Sequence, residues 1–280
     1  MLQLSKKFPK KRAFITGAGS GLGRELAQLL AADSWQIGIT DIHASAIQET
    51  SAIIHALGGK AYPFVFDVSD RHQYEIAFKQ FLHSAQGIDL LINNAGVGDG
   101  GLFEEYSLNN WEWITGINQM AVIYGCHLAV PVMKEQKSGL IINIASAAAF
   151  ACMPNMSMYN VTKAAVLALS ESLYPELAPF GVGIAVVMPT FFRSNIMQHN
   201  RGPESATSIG KILAEKAPIP AAKVAQKVLV AAGKGNFHIL FPFQSRLVWY
   251  VKRWFPAMFL YVKKRGFQNK EWVIRKIEQR

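Results

Sequence analysis

Hydrophobic and polar residues follow two different periods along the chain. Short apolar runs without polar alternation, such as Leu140-Ile-Ile, are separated by longer segments with helical spacing. Apolar runs of this kind are typical of strands covered on both faces, and their alternation with helices predicts a parallel sheet with crossover helices. The predicted strands are residues 13–16, 36–40, 61–66, 90–93, 140–144, 183–187 and 238–241. The predicted helices are residues 21–32, 44–57, 71–85, 107–134, 158–178 and 221–232.

Two of these predicted helices have features that affect their length. The segment 107–134 is long enough to be either one helix or two pieces. Pro175 lies inside the segment 158–178, and because proline removes an i→i−4 hydrogen bond we expect a kink or an early end near Leu173. The chain has 280 residues, half of them hydrophobic, and no internal repeat, so it can bury one large core in a single α/β domain.

The net charge of +10 is concentrated at the two ends of the chain. Residues 241–280 contain ten lysines and arginines against two glutamates, and the first twelve residues contain five basic side chains and no acidic one. The middle of the chain is therefore slightly acidic. A uniformly basic enzyme would indicate an anionic substrate, whereas basic ends on a near-neutral body indicate a surface partner.

Cysteine and histidine usage points to neither a metal nor a redox centre. Cys126 and Cys152 lack the spacing of a metal or redox motif, and the seven histidines are scattered along the chain. Nothing in the sequence resembles a secretory leader, so the expected location is the reducing cytoplasm.

A glycine-rich turn follows the first predicted strand. Thr16 closes that strand, and a helix opens at Gly21 within a run of alternate glycines. Glycines allow a close backbone approach, and a helix N-terminus offers unpaired N–H groups and partial positive charge to a diphosphate. We therefore expect a dinucleotide here, although a glycine-rich loop alone is weak evidence. The expected contacts are Gly17, Gly19, Ser20, Gly21, Leu22 and Gly23.

Asp41 ends the second predicted strand, eighteen residues after Gly23. A carboxylate at this place accepts hydrogen bonds from both ribose hydroxyls of NAD and repels the 2′-phosphate of NADP. No basic residue follows Asp41 directly, and the residue before Gly21 is Ser20. These features favour NAD over NADP. The alternative is that Asp41 caps the helix that follows it.

Ser146, Tyr159 and Lys163 form the strongest candidate for acid–base chemistry. Tyr159 and Lys163 are four residues apart, so they lie on one face of the predicted helix. An ammonium group one turn away stabilises the phenolate and lowers the phenol pKa from its usual ~10. Ser146 ends an apolar run, which places its hydroxyl at the carboxyl edge of the sheet, where open α/β sheets bind ligands. A Tyr-x-x-x-Lys pair by itself also arises by chance.

These three residues, with thirteen residues from the serine to the tyrosine, resemble the catalytic Ser…Tyr-x-x-x-Lys of the short-chain dehydrogenase/reductase family. Other family motifs occur in the right order over about residues 10 to 240. The resemblance implies a doubly wound Rossmann-type parallel sheet with strand order 3-2-1-4-5-6-7. It also implies hydride transfer between NAD and an alcohol or its carbonyl. The further motifs are Thr16 to Gly23, Asp67-Val68, Asn93-Asn-Ala-Gly96, Asn118 and Pro189.

The resemblance also implies a role for each catalytic position. Tyr159 would be the general acid–base, and Ser146 would hydrogen-bond the substrate oxygen. Lys163 would lower the tyrosine pKa and hold the nicotinamide ribose. Asn118 would complete a proton path through a water held at a local kink; the alternative is a buried helical asparagine satisfied by backbone groups.

Further cofactor contacts follow from the same resemblance. Asp67 and Val68 would border the adenine ring, although Asp67 is otherwise an ordinary turn residue. The chain departs from the family's usual Pro-Gly after the sixth strand, since Thr190 follows Pro189 and the next hydroxyl is Ser194. The remaining expected contacts are Asn94, Ala95, Gly96, Tyr159, Lys163, Pro189 and Thr190.

A segment of weak periodicity, about residues 190–220, occupies the position of the family's substrate lid. Its apolar residues, with others near Tyr159, indicate a lipophilic substrate pocket, and the alternative is ordinary core packing. The expected substrate is a small, lipophilic alcohol or carbonyl compound, and the expected assembly is a homodimer or homotetramer. The residues concerned are Ala147, Phe150, Met153, Met156, Phe191, Phe192, Ile196 and Met197.

The expected catalytic domain covers residues 1–242, and residues 243–280 form a basic, aromatic C-terminal extension. Residues 243–265 mix aromatic and aliphatic side chains with clustered lysines and arginines. No run there is long and apolar enough to span a bilayer, but the mixture is typical of a helix lying at an anionic membrane surface. The main alternative is a helix pair packed on the enzyme; nucleic acid is the least favoured partner.

Two related enzyme classes fit the sequence less well. An enoyl reductase of similar fold would separate the tyrosine and the lysine by six residues, and an extended epimerase-type relative would have a larger C-terminal domain. A different class of function is a catalytically silent dinucleotide-binding scaffold or sensor at a membrane surface. Such a protein would not require Ser146, Tyr159, Lys163 and Asn118 together.

Overall fold

The computed structural model describes residues 2–197, 200–203 and 217–278, with side chains up to residue 269. The strands of these residues form one seven-stranded parallel sheet with the order β3-β2-β1-β4-β5-β6-β7. This order confirms the expected doubly wound topology. The strands are β1 (Arg12–Thr16), β2 (Gln36–Asp41), β3 (Lys60–Val65), β4 (Leu90–Asn93), β5 (Gly139–Ile144), β6 (Val182–Pro189) and β7 (His238–Phe241).

Helices connect the strands and cover both faces of the sheet. Every predicted strand and helix is present, and the strand ends differ from the predicted ones by no more than two residues. The short helices α1 and α7 were not predicted. The helices are α1 (Gln3–Lys7), α2 (Gly21–Ala31), α3 (Ala44–Ala56), α4 (Arg71–Ala85), α5 (Leu108–Thr115), α6 (Ala121–Gln136), α7 (Ala148–Ala151), α8 (Ser157–Leu177), α9 (Ala221–Gly233), α10 (Phe243–Trp254) and α11 (Pro256–Glu278).

The long segment after β4 consists of two helices. A π-helical turn, Gly116–Met120, joins α5 to α6 and contains the buried Asn118. A π-turn widens the helix locally, and such turns are frequent at functional sites. The predicted helix of residues 107–134 is therefore two pieces with a defined junction.

The early end predicted near Leu173 is wrong, because α8 continues through Pro175 to Leu177. Proline removes one hydrogen bond, whose acceptor would be the carbonyl of Glu171. Glu171 and its neighbours lie at the exposed end of α8, where water can reach that carbonyl. Loss of this hydrogen bond therefore costs too little free energy to end the helix.

The sheet separates two large hydrophobic clusters. On β1, Ala13 and Ile15 face the cluster that includes α2 and α9, whereas Phe14 faces the cluster that includes α4, α6 and α8. All residues of β4 and β5 are buried, as their continuous apolar sequence predicts. Among the described strands, β3 alone has exposed positions, and it tolerates Pro63 because it is an edge strand.

The place of Arg12 in the N-terminal charge cluster suggested a basic surface, but its side chain is not part of one. It is buried and forms a salt bridge of 2.8 Å with the buried Asp89, which precedes β4. The Arg12 guanidinium also donates to the backbone of Gln86 and to Gln136. This pair ties the start of β1 to the start of β4, because a buried charge must be paired to be tolerated.

The C-terminal extension forms helices α10 and α11. Trp249 of α10 is 6% exposed and belongs to the core cluster on the α4 side of the sheet. Along α11, Phe259, Lys263 and Phe267 are half-buried at intervals of four residues, and the rest of residues 256–269 are exposed. One narrow stripe of α11 therefore faces the protein. Within the described ranges, no helix has both the length and the apolar character needed to cross a membrane.

Candidate active site

A cleft of about 1140 Å³ opens at the carboxyl edge of the sheet, where the chain leaves β1 and β4 toward opposite sides. Ligands bind at such a switch point in open α/β sheets. Of the predicted catalytic residues, Ser146, Tyr159 and Lys163 line the cleft and Asn118 lies behind it. The predicted cofactor contacts that line it are Gly17, Gly19, Ser20, Gly21, Leu22, Asp41, Asp67, Val68, Asn94, Ala95, Gly96, Tyr159, Lys163, Pro189 and Thr190.

Gly23 is the one predicted cofactor contact that does not line the cleft. A side chain at this position would collide with the Gly17 carbonyl and the Asn94 side chain. Gly23 therefore serves helix packing, because it lets α2 lie close to the end of β1 and the residues after β4.

The glycine-rich turn presents an open helix end to the cleft. Ser20 occupies the N-cap position of α2, but its side chain accepts no hydrogen bond from the first turn. The N–H groups of that turn are therefore available to an anion, and the helix dipole favours one. At Gly17 the backbone has φ +63°, a conformation that glycine adopts without strain.

Thr16 and Asn94 hold the two sides of the cleft together. The N–H groups of Asn94 and Ala95 both donate to the Thr16 hydroxyl, at 3.0 Å. In return the Asn94 amide donates to the carbonyls of Thr16 and Gly17, at 2.9 Å. These four bonds fix the glycine-rich turn against the segment after β4.

Asp41 lies beside the glycine-rich turn. Its Oδ2 accepts a hydrogen bond of 3.1 Å from the Gly19 N–H, and its Oδ1 accepts one from the His43 N–H. The N-cap of α3 is His43, so the alternative of a capping Asp41 is not what the structure shows. Because each carboxylate oxygen can accept a second bond, Asp41 keeps acceptor capacity toward the cleft.

Arg24 is a cleft residue that the sequence reasoning missed. It lies on α2, and its guanidinium forms two hydrogen bonds, of 2.9 and 2.8 Å, with the Glu49 carboxylate of α3. It also donates to the Gly19 carbonyl and to Thr50. The positive charge of Arg24, which lines the cleft together with Asp41, is thus paired with Glu49. The residues next to Asp41 and Ser20 in sequence give no basic partner for a phosphate, because Arg24 comes from the next turn of α2.

Asp67 fulfils the turn role that was its alternative reading. Its Oδ1 accepts hydrogen bonds from the backbone N–H and the hydroxyl of Ser69. Asp67 and the buried Val68 nevertheless both line the cleft, so the turn also shapes its wall.

Ser146 lies just after β5, whereas Tyr159 and Lys163 both lie on α8, with α7 between the two places. Ser146 follows β5, and its Oγ accepts a hydrogen bond of 3.2 Å from the Ala148 N–H at the start of α7. Tyr159 and Lys163 lie one turn apart near the start of α8, and both are buried except at the cleft. The Lys163 Nζ donates to the Ile144 carbonyl at 3.0 Å and lies 5.7 Å from the centre of the Tyr159 ring.

Burial dominates the electrostatics of this group. It raises the pKa of Tyr159 to about 12, and the hydrogen bond with Ser146 offsets part of this increase. Burial also lowers the pKa of Lys163 to about 8. The lowered tyrosine pKa expected from the neighbouring lysine is therefore not found for these residues alone, because both neutral forms are favoured in this environment.

Asn118 uses its side chain on the backbone. Its Oδ1 accepts from the Val97 N–H at 2.8 Å, and its Nδ2 donates to the Val97 carbonyl at 2.9 Å. This is the arrangement foreseen in the alternative reading of a buried, satisfied asparagine. The π-turn around Asn118 supplies the expected local kink, and a Cβ placed on Gly96 would lie between Asn118 Oδ1 at 3.1 Å and Lys163 Nζ at 3.3 Å.

The end of the cleft beyond Tyr159 is mainly apolar, and all eight residues predicted for a lipophilic pocket line it. Phe150 and Phe192 also pack against the core, so part of the packing alternative holds as well. Further lining residues were missed. Among them are the buried Asp99, and Ser245 and Val248 of α10. Positions 198–199 and 204–216 of the predicted lid lie outside the described residues.

The residues present fit a nicotinamide dinucleotide. The open end of α2 suits a diphosphate, Asp41 suits a ribose diol, and the far end of the cleft holds an acid–base group beside a hydroxyl. A reactant placed between Ser146 and Tyr159 would meet two hydroxyl groups and one buried amine, a set that can polarise a carbonyl and transfer a proton.

The family model described as short chain dehydrogenase matches residues 11–205 of the chain. The cyclohexanol dehydrogenase of Acinetobacter sp. (strain SE19) is 33% identical over 195 residues, which cover 69% of this chain and 78% of that protein. The probable oxidoreductase EphD of Mycobacterium tuberculosis (strain ATCC 25618 / H37Rv) is 36% identical over 185 residues, or 65% of this chain. The match spans 31% of the length of EphD, so the chain corresponds to about a third of that relative.

Solved structures agree with the sheet topology. A short-chain dehydrogenase/reductase from Burkholderia phymatum, crystallised in complex with NAD, has a TM-score of 0.77 and 32% identity, with coverage of 82% of this chain and 88% of that one. A short-chain dehydrogenase from Streptomyces avermitilis covers 96% of this chain and 97% of its own with a TM-score of 0.76. Its identity is 24%, so it supports the fold alone.

The buried amine of Lys163 makes a testable contribution to the pH dependence of stability. Its folded pKa of about 8 lies below the ordinary value of 10.5, so between these pH values the unfolded chain holds a proton that the folded protein has released. Stability from this group therefore rises with pH across that window. We expect the variant Lys163→Met to lack the rise.

The measurement is the urea midpoint of both proteins between pH 7 and pH 10. The difference between them should shift in favour of the wild type as the pH increases. Lys223→Met, at an exposed position of α9, controls for the loss of a lysine charge. A difference that stays constant over this range for Lys163→Met would contradict the assignment.

Proposed function

The chain belongs to the short-chain dehydrogenase/reductase family, and on that basis we propose that it is an NAD-dependent oxidoreductase that interconverts an alcohol and its carbonyl. The observation that carries the proposal is the arrangement of one cleft. Ser146, Tyr159 and Lys163 line its far end, and the glycine-rich turn with Asp41 lines the near end. A dinucleotide extended along the cleft would have its diphosphate at the glycine-rich turn and its nicotinamide beside Ser146, Tyr159 and Lys163.

The chain's own residues supply position and proton transfer. In the reduction direction, Tyr159 gives its phenol proton to the carbonyl oxygen. In the oxidation direction, the Tyr159 phenolate takes the hydroxyl proton of the alcohol, and Ser146 donates a hydrogen bond to the same oxygen as charge develops there. Lys163 is held by the Ile144 carbonyl and provides a buried amine beside the tyrosine. Asn118, fixed by Val97, positions the π-turn behind Lys163. NAD, when bound, accepts the hydride in this direction and NADH supplies it in the other.

Substitution of Tyr159 tests its role as the general acid–base. Tyr159→Phe removes the transferable proton and little else, so turnover should be lost while NAD binding stays nearly unchanged. Tyr174→Phe, on the exposed end of the same helix, is the matched control and should be as active as the wild type. The assay follows nicotinamide absorbance with a panel of lipophilic alcohols that begins with cyclohexanol. A Tyr159→Phe variant that keeps a tenth or more of the wild-type rate contradicts the assignment.

The preference for NAD over NADP rests on Asp41. Its carboxylate lies beside the Gly19 N–H at the near end of the cleft and keeps acceptor capacity there. Arg24, a basic residue that also lines the cleft, is paired with Glu49. A 2′-phosphate would therefore meet a carboxylate that forms no ion pair within the described part of the chain.

Asp41→Ala should weaken NAD binding and improve the relative use of NADP. The carboxylate both accepts ribose hydrogen bonds and repels phosphate, and hydrogen bonds to a charged group are worth roughly 1.5–3 kcal/mol. Ratios of kcat/KM for the two cofactors, measured for the wild type and the variant, provide the test. A wild-type enzyme that prefers NADP tenfold over NAD would overturn the cofactor proposal.

The proposed substrate is small and lipophilic. Phe191, Ile196, Met153 and Met156 surround the far end of the cleft with apolar surface, and Ser146 and Tyr159 provide the polar end. Pockets that combine a mainly apolar wall with a few placed polar groups select substrates of this type. That a similar protein is a cyclohexanol dehydrogenase supports this choice.

A catalytically silent scaffold or sensor remains the competing function. A binding-only protein would need the glycine-rich turn but not the buried Lys163, whose burial costs free energy. The alcohol panel separates the two, since a silent protein would bind NAD without turnover. We further propose a homodimer or homotetramer, for which the exposed Val161 and Tyr174 of α8 offer apolar surface.

We also propose that the C-terminal extension, residues 243–280 after a catalytic domain of residues 1–242, contacts an anionic membrane surface. Trp249 packs into the body, so α10 is anchored, but the outer surface of the two helices is unusually apolar. Phe243 and Trp254 are 76% and 71% exposed, and Leu260, Tyr261 and Val262 are also exposed. Exposed aromatic side chains mixed with lysines and arginines favour a lipid interface.

Binding to anionic vesicles should be strong at low salt, weaker at high salt and poor on neutral lipid. Each basic residue near the surface contributes roughly 1 kcal/mol, and salt screens this attraction. Co-sedimentation of the double variant Arg246→Gln, Arg265→Gln should show reduced binding. Intact protein that stays in the supernatant with anionic vesicles at low salt would overturn the proposal. The matched control changes two exposed lysines of the body to glutamine, at Lys223 and Lys234.

A further inference from the structure

The short helix α7 connects the candidate catalytic serine to the substrate end of the cleft. At its beginning, the Ala148 N–H donates to Ser146 Oγ, and the Ala147 N–H donates to the Pro189 carbonyl. At its end, Ala151 and Met153 line the cleft. The position of this helix therefore sets both the direction of the Ser146 hydroxyl and the shape of the substrate wall.

A helix of four residues is not stable on its own. Its nucleation is unfavourable, and the carbonyl groups of its last turn have no partner within the helix. Cys152 follows in the left-handed region at φ +47°, so the chain turns away from the helix axis. The carbonyl groups at the end of α7 then face neighbouring elements. Other parts of the protein must satisfy them.

Two lysines of the C-terminal extension fill this role. Lys252 of α10 donates to the Phe150 carbonyl. Lys263 of α11 donates to the Ala151 carbonyl at 2.8 Å and to the Cys152 carbonyl. Cations at the carboxyl end of a helix are favourable because they also complement its dipole. The two lysines come from different helices and converge on three consecutive carbonyl groups.

The extension also contacts the substrate wall directly. Trp249 of α10 meets the ring of Phe150 edge-on at 5.0 Å between centroids. Ser245 and Val248, on the same helix, line the cleft. The extension is therefore continuous with the active site through packing as well as through hydrogen bonds.

We propose that Lys252 and Lys263 are positioning residues, which hold α7 so that Ser146 and the substrate wall keep their working geometry. The proposal rests on the proposed function for its kinetic consequence but not for its structural one. It makes the C-terminal extension a working part of the active site. Removal of residues after Pro242 would accordingly damage the active site as well as any membrane contact.

The test uses the full chain with Lys263→Gln as the main variant and Lys264→Gln as its matched control. Lys264 is the next residue of α11 and is exposed, with no hydrogen bond to α7 among the described residues. Lys263→Arg is the conservative variant, because its guanidinium can still donate to the same carbonyls. Lys252→Gln is a second variant on the other helix, which keeps the test valid if one variant folds poorly.

The first readout is hydrogen–deuterium exchange of the peptide that covers α7, which needs no substrate. Exchange in that peptide should rise several-fold in Lys263→Gln and Lys252→Gln, remain at the wild-type level in Lys264→Gln and return toward it in Lys263→Arg. Unchanged exchange in both glutamine variants, or an equal rise in the Lys264→Gln control, overturns the proposal.

The second readout is steady-state kinetics with cyclohexanol and NAD. Loss of a charge-assisted hydrogen bond at the substrate wall should lower kcat/KM for the alcohol by about tenfold. The KM for NAD should stay within twofold, because the glycine-rich turn is not touched. Faster exchange without a kinetic loss beyond that of the control also overturns the positioning role. A wild type that turns over no alcohol refutes the proposed function, and exchange alone then decides whether the lysines hold α7.

Discussion

The four hydrogen bonds that join Thr16 and Gly17 to Asn94 and Ala95 are the constraint on which the cleft depends. β1 and β4 are neighbours in the sheet, but the chain leaves them toward opposite faces, which would let the two connecting segments separate. The shared Thr16 hydroxyl and the Asn94 amide close that gap. The glycine-rich turn and the segment that carries Gly96 both take their positions from this junction.

Within the cleft, burial acts against charge on both members of the tyrosine–lysine pair. The pKa of Tyr159 rises to about 12 and that of Lys163 falls to about 8 because each charged form is removed from water. The protein alone thus keeps the proton on the phenol, and Lys163 loses its charge near pH 8 instead of near 10.5. An environment of this kind holds a proton ready at a defined atom and keeps competing water away from it.

Elements that depend on local pattern could be predicted from the sequence, and those that depend on distant contacts could not. The strands follow from apolar runs, and the Ser146, Tyr159 and Lys163 group follows from helical spacing together with the resemblance to a known family. By contrast, the pairing of Arg24 with Glu49 joins two helices, and Lys263 reaches α7 from more than a hundred residues away. The sequence predicted a lowered pKa for Tyr159 because the spacing identifies the neighbouring lysine but does not show that both side chains are buried. The helix end predicted before Pro175 was wrong because the sequence does not show that this end of α8 is exposed.

The ion pair of Arg24 and Glu49 has a consequence for how cofactor preference can change during evolution. Glu49 does not line the cleft, yet its carboxylate binds the guanidinium of Arg24, which does line it. A mutation at Glu49 alone would free that guanidinium for an incoming phosphate without altering any residue that lines the cleft. The proposed preference for NAD is therefore open to change at a position that a comparison of cleft residues would overlook.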